Sequence, residues 1–173
     1  KKLVGLNKRI EWLLVDICES FIVIASFVLG WLYQLNNKYI IGLNDVLSDR
    51  LKYIAQTMST YNIKLWGQYI EEHGNGGSII AKDNYFFIDN SFVRCMYEYG
   101  AIVFVLVIVL IFMAQKKMLD NEKYIMCLAF FIVTIASFAE HHLLEIAYNP
   151  FIFSVFACMS NNDKVIMEEK RIC

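Results

Sequence analysis

Apolar residues in this chain gather into long runs separated by polar stretches, and the run lengths set the first expectation. Four segments are long enough, or nearly so, to cross a hydrocarbon core that takes about 20 helical residues: about 17–35, 92–115, 124–139 and 146–159. The second is the strongest, because no charge falls between Tyr99 and Gln115. The fourth is short and carries Asn149-Pro150 near its start, so it is read as either spanning or re-entrant. Between the first two runs lies a polar link, 36–91, longer than the roughly 12–15 residues that an ordinary connector needs. Within it Leu51, Ile54, Ala55 and Met58 fall at i, i+3, i+4 and i+7, which predicts an amphipathic helix with Ser48 as its cap. After Tyr61 come a short apolar stretch ending at Gly67 and a polar, glycine-rich tip, Glu71-Glu72-His73-Gly74-Asn75-Gly76-Gly77-Ser78.

The expected fold is therefore all-α, a polytopic membrane helix bundle of about four apolar segments with a large outer loop holding an amphipathic helix. It is a single membrane domain over 1–173, expected to be a fragment of a longer chain. Composition agrees: 58% of residues are hydrophobic and 15% aromatic, with one proline, against the roughly 45–50% apolar content of soluble domains. A formal net charge of −1 gives no basic field for nucleic acid.

Basic residues set the orientation. Lys1, Lys2, Lys8 and Arg9 precede the first segment, Lys116, Lys117 and Lys123 flank the link between the second and third, and Lys164, Lys170 and Arg171 follow the fourth. With four spans all three clusters share one side, cytoplasmic by the positive-inside rule, and 36–91 is extracytoplasmic. A multi-pass protein of the cell membrane follows. Cys18, Cys95, Cys127 and Cys158 lie in or beside apolar runs and Cys173 ends the chain, a distribution that implies no disulfide framework.

Candidate chemistry gathers where apolar runs meet the outer side. Asp89-Asn90-Ser91 precedes the second run, and each of the three residue types can cap a helix. Arg50 stands in the first turn of the amphipathic helix, where a guanidinium and exposed helix N–H groups act together on an anion. Arg94 and Glu98 are spaced to pair on one helical face. Glu140, His141, His142 and Glu145 cluster after the third run. No metal is expected there, because a single helix supplies too few ligands and there is no HExxH. His73 is read as a solvated loop residue, and the neighbouring GxGG lacks the context of a phosphate loop.

Taken in order, these residues resemble a known family. Asn44, Leu47, Ser48 and Arg50, then Leu65-Trp66-Gly67, then Ile88-Asp89-Asn90-Ser91-Phe92 with Glu98 and Gly100, then Glu140 and Leu143, then Asn149-Pro150-Phe151 look like the C-terminal half of a Wzy-type polysaccharide polymerase of the O-antigen ligase and polymerase family. Where ligase members carry a histidine, Asp89 stands here. The resemblance implies a membrane glycosyltransferase that joins undecaprenyl-diphosphate-linked oligosaccharide repeat units at the outer face, inverting and metal-independent, with no cofactor. It assigns Asp89 and Arg50 as catalytic, and Arg94, Glu98, Glu140 and Asn90 as substrate contacts. The implied partners are the lipid-linked oligosaccharide, membrane lipids, and flippase and chain-length regulator proteins. The rival reading is a non-enzymatic accessory subunit or a fragment of a lipid-linked glycan transporter, in which ionisable residues would line a path at bilayer depth.

Overall fold

The computed structural model describes residues 8–73, 85–145 and 149. These are helical apart from turns, extended connections and one isolated antiparallel bridge, between His73 and Phe86. The first apolar run forms α1, Lys8–Gln34, and the second contributes α5, Ala101–Asp120. Both are long and apolar enough to cross a membrane. Side-chain contacts show that they run antiparallel: Lys116 lies over the Trp12 ring at 4.9 Å near one end, and Phe27 meets Phe104 edge-on at 5.8 Å nearer the other. A three-residue link turns the chain into α6, Tyr124–Ala136, which packs against both. Inward residues including Val107, Ile111, Cys127 and Phe130 form the core between them. The outward faces are also apolar, with Ile17, Phe21, Ile24, Leu106, Val109, Leu128 and Ile132 exposed. Exposed apolar area of that extent marks an interaction surface, and together with the two long helices it supports a membrane location.

Two of the four expected segments differ from the sequence pattern in extent. The run 92–115 is not one helix. It begins as a short α4, Ser91–Arg94, widens into a π-helical turn, Cys95–Tyr99, and breaks at Gly100 before α5 starts. Gly100 has φ +98° and Gly67 has φ +81°, and a Cβ on either would run into the backbone of the other's segment. This close approach lets the carbonyls of Lys64 and Leu65 accept from the N–H groups of Ala101 and Ile102 at 3.0 and 3.3 Å, satisfying two donors that a helix start leaves open. Gln68 N–H in turn donates to the Glu98 carbonyl at 2.9 Å. The third segment stops at Ala136, and 13 residues span only about 20 Å at 1.5 Å per residue, short of a hydrocarbon core of about 30 Å. The fourth lies outside the described residues, Asn149 excepted.

The amphipathic helix is present as α3, Arg50–Thr60, with Leu51, Tyr53, Ile54, Ala55 and Thr57 buried. It lies against α1 where Gly30 leaves room for Ile54, and the Gln34 amide donates to the Ala55 carbonyl at 2.8 Å. Its start differs from the expected one. Ser48 and Asp49 both take positive φ, and neither hydroxyl nor carboxylate caps the helix. The cap comes instead from Asn44, on a preceding helix α2, Lys38–Val46, that hydropathy alone does not pick out. Buried Asn44 accepts from Lys52 N–H at 3.0 Å and donates to the Asp49 carboxylate at 2.8 Å. Arg50 is thereby fixed at the first position of α3.

Candidate functional site

Asn90 joins the segments that meet at the site. Its Oδ1 accepts from the N–H groups of Phe92 and Val93 at 3.0 and 2.9 Å, the capping geometry of α4. Its amide nitrogen donates to the Ser26 hydroxyl of α1 at 3.0 Å and to the Phe138 carbonyl at 2.8 Å. One buried side chain thus ties α1, α4 and the end of α6 together. The stitch continues through Ser91, whose N–H donates to the Ser137 carbonyl at 2.9 Å, and whose hydroxyl donates to the Glu140 carbonyl and accepts from Leu143 N–H. Asn90, assigned to substrate by the resemblance, has its hydrogen-bonding groups occupied inside the protein. It holds the turn that presents Asp89.

With Asn90 as the cap, the Asp89 carboxylate is released from capping and turns to Arg50. The Arg50 guanidinium lies 2.9 Å from Glu140 Oε1 and 3.6 Å from Asp89 Oδ2. Three residues from three segments, Arg50 and Glu140 being 90 positions apart, therefore share one partly exposed cluster. Burial pushes the Asp89 carboxyl above its ordinary value; the Arg50 charge opposes the rise and the Glu140 charge adds to it. A carboxylate so placed holds a proton more readily than one in water, as a general base requires.

Beside this cluster sits a second arginine. Arg94 pairs with Glu98 at 3.1 Å, the i,i+4 contact that the spacing predicts, but it also reaches Glu72 at 2.6 Å and donates from Nε to the Ile88 carbonyl at 3.0 Å. Glu72 additionally accepts from Ile88 N–H at 2.9 Å. The Phe87 ring lies 4.8 Å from the guanidinium. Arg94 is largely buried, with a side chain 12% exposed, and works as the clamp that holds 72 and 88 to α4. Sequence reasoning placed Glu72 in the solvated tip. The one signal for it was an arginine beside an apolar run, whose guanidinium has more donors than Glu98 can take.

Past Ala136 the chain leaves the helix and bends into a single 3₁₀ turn, His142–Leu144. Consecutive side chains can then converge, and the ligand-type atoms of Glu140, His141 and His142 all lie within 4.8 Å of one another. Glu145 bridges the imidazoles: its two oxygens lie 3.2 Å from His141 Nε2 and 3.2 Å from His142 Nδ1. Burial lowers the His141 pKa below the usual imidazole value, and His142 and Arg94 add to the fall while Glu145 and Asp89 oppose it. The Phe87 ring edges against it at 5.0 Å. Ser91, Arg94, Tyr99, His141, Leu144 and Glu145 line a small open cleft of about 90 Å³ here. His73 is half exposed, near Glu71 at 3.7 Å, and its backbone forms the bridge to Phe86.

No family model matches the chain, and no curated protein or solved structure matches it either.

Proposed function

We propose that this chain is part of a membrane polysaccharide polymerase, transferring a glycan from an undecaprenyl diphosphate carrier to a hydroxyl on the next lipid-linked repeat unit at the outer face of the membrane. The observation that carries the reading is the convergence of Arg50, Asp89 and Glu140, which come from three separate pieces of the family-like pattern. In the proposed step the acceptor oxygen attacks the anomeric carbon as the bond to the diphosphate oxygen breaks. The acceptor's proton passes to Asp89, and the charge that develops on the departing diphosphate is met by Arg50, whose planar fork suits phosphate oxygens. Glu140 holds Arg50 in place until the diphosphate competes for it. Direct displacement inverts the anomeric centre, and the residues named perform the step without a metal.

The decisive measurement is conversion of lipid-linked repeat units into polymer by the complete protein, at matched membrane abundance. Asp89→Asn keeps the shape and removes the proton acceptor, so transfer falls by about 10²-fold or more. Arg50→Lys keeps the charge and loses the fork, and behaves nearly as badly as Arg50→Ala. Because Asp89 titrates above the ordinary carboxylate value, the acid limb of the pH–rate profile of the unaltered protein lies above that value, and activity is lost as pH falls through it. Normal polymer from both Asp89→Asn and Arg50→Lys would leave these residues structural and make the accessory-subunit reading the better one.

A further inference from the structure

We propose that Glu140, His141 and His142 form a binding site for a borderline divalent transition-metal cation of the zinc class, oriented by Glu145 and opening on the cleft beside Ser91 and Arg94. A single helix running on to 145 would spread these side chains around its axis, but α6 ends at Ala136, and the bend and 3₁₀ turn that follow bring three ligand-type atoms within 4.8 Å of one another. Two imidazoles and a carboxylate are the ligand set that zinc takes where it keeps an open position, and they select against magnesium and calcium, which prefer oxygen alone.

A second observation points the same way. His141 Nδ1 is buried and has no hydrogen-bond partner among the described residues, while its Nε2 faces Glu145 at 3.2 Å. With the ring proton on Nε2, beside that carboxylate, the lone pair is on Nδ1. A buried nitrogen lone pair with nothing to accept from is costly, and a cation is a partner that would satisfy it. The carboxylate on the far side of a ligating imidazole is the arrangement that fixes tautomer and orientation in metal sites. His142 Nδ1 lies 3.2 Å from the other oxygen of Glu145. Arg50 engages one oxygen of Glu140 at 2.9 Å, and the carboxylate has a second. A bound cation would pin the 140–145 turn to the wall of the cleft and hold an open position towards an incoming oxygen ligand.

The inference stands apart from the glycosyl-transfer reading, and its test needs no activity. The complete chain, purified in detergent without a histidine tag and stripped with chelator, is titrated with zinc against a fluorescent chelator. One zinc per chain is expected. His141→Ala and His142→Ala each weaken it at least about 10-fold, Glu145→Gln weakens it about 10- to 100-fold, and His73→Asn leaves it unchanged. Cobalt(II) added to the unaltered chain gives a visible absorption band that excess zinc removes, a readout that survives if a variant fails to fold. The absence of a stoichiometric site or of the cobalt band in the unaltered chain, or undiminished zinc affinity in a folded His141→Ala, His142→Ala double variant, would overturn the assignment.

Discussion

Glu19 and Asp89 carry the same functional group into opposite surroundings. Glu19, on α1, is fully buried between three helices. There the Gln115 amide donates to its Oε1 at 2.7 Å, and the Cys127 thiol donates to Gln115 Oε1 at 2.9 Å. Its second oxygen has no hydrogen-bond partner among the described residues. Asp89 sits at the end of the bundle, partly exposed, facing an arginine that also holds Glu140. The difference teaches what each end of the molecule is built to do. A neutral amide and a thiol order helices without a full charge, whereas guanidinium groups among carboxylates make a polar surface where charge can be gained or lost. Ionisable groups with charged partners collect at the cleft end, and among the described residues Glu19 is joined to the other helices by neutral groups alone.

The largest break in that contrast comes at Arg94. Arg94→Ala strands Glu72 and Glu98, both partly buried, and leaves the Ile88 carbonyl without its donor. A loss of about 3–5 kcal/mol is expected, the range for removing one member of a buried pair, read from denaturant or thermal unfolding in detergent. A loss under about 1 kcal/mol would reduce the network to ordinary surface pairs.

Asn90→Ala should cost less, about 2–3 kcal/mol: roughly 1 for the lost cap and about 1 or more for the buried partners it strands. Asn90→Asp sharpens the point, since it keeps an oxygen for Phe92 and Val93 but cannot donate to Ser26 and Phe138. It should fall between the original and Asn90→Ala in the same unfolding measurement. Equal stability of the two variants would mean that only the donor side of Asn90 matters.

The smallest effect belongs to Glu19. Glu19→Gln keeps an acceptor for Gln115 and brings no charge, so unfolding should shift by less than about 1 kcal/mol, the size of a single hydrogen bond. A loss of several kcal/mol would show that the bundle depends on the carboxylate itself and would erase the contrast with Asp89.

Local spacing by itself determined the helical class, the long apolar helices α1 and α5, the buried face of α3 and the Arg94–Glu98 pair. These follow from the length of apolar runs and from a 3.6-residue period, both of which neighbours in sequence already express. Hydropathy could not locate the break inside 92–115, because the break depends on Gly100 taking a positive φ against the backbone of Gly67, and a hydropathy profile carries no dihedral angle. Nor could composition tell which of Asp89, Asn90 and Ser91 caps α4, since all three residue types can do so. Ser26 and Phe138 decide it by accepting from the Asn90 amide, which leaves Asp89 for Arg50. Asn44 displaced Ser48 as the cap of α3 for a similar reason: its helix delivers the side chain from another direction. The meetings of Arg50 with Glu140 and of Arg94 with Glu72 join residues that no local rule relates. Only the packing of α3, α4 and the end of α6 around α1 brings them within reach of one another, because a side chain extends a few ångströms and the chain between them covers many times that distance.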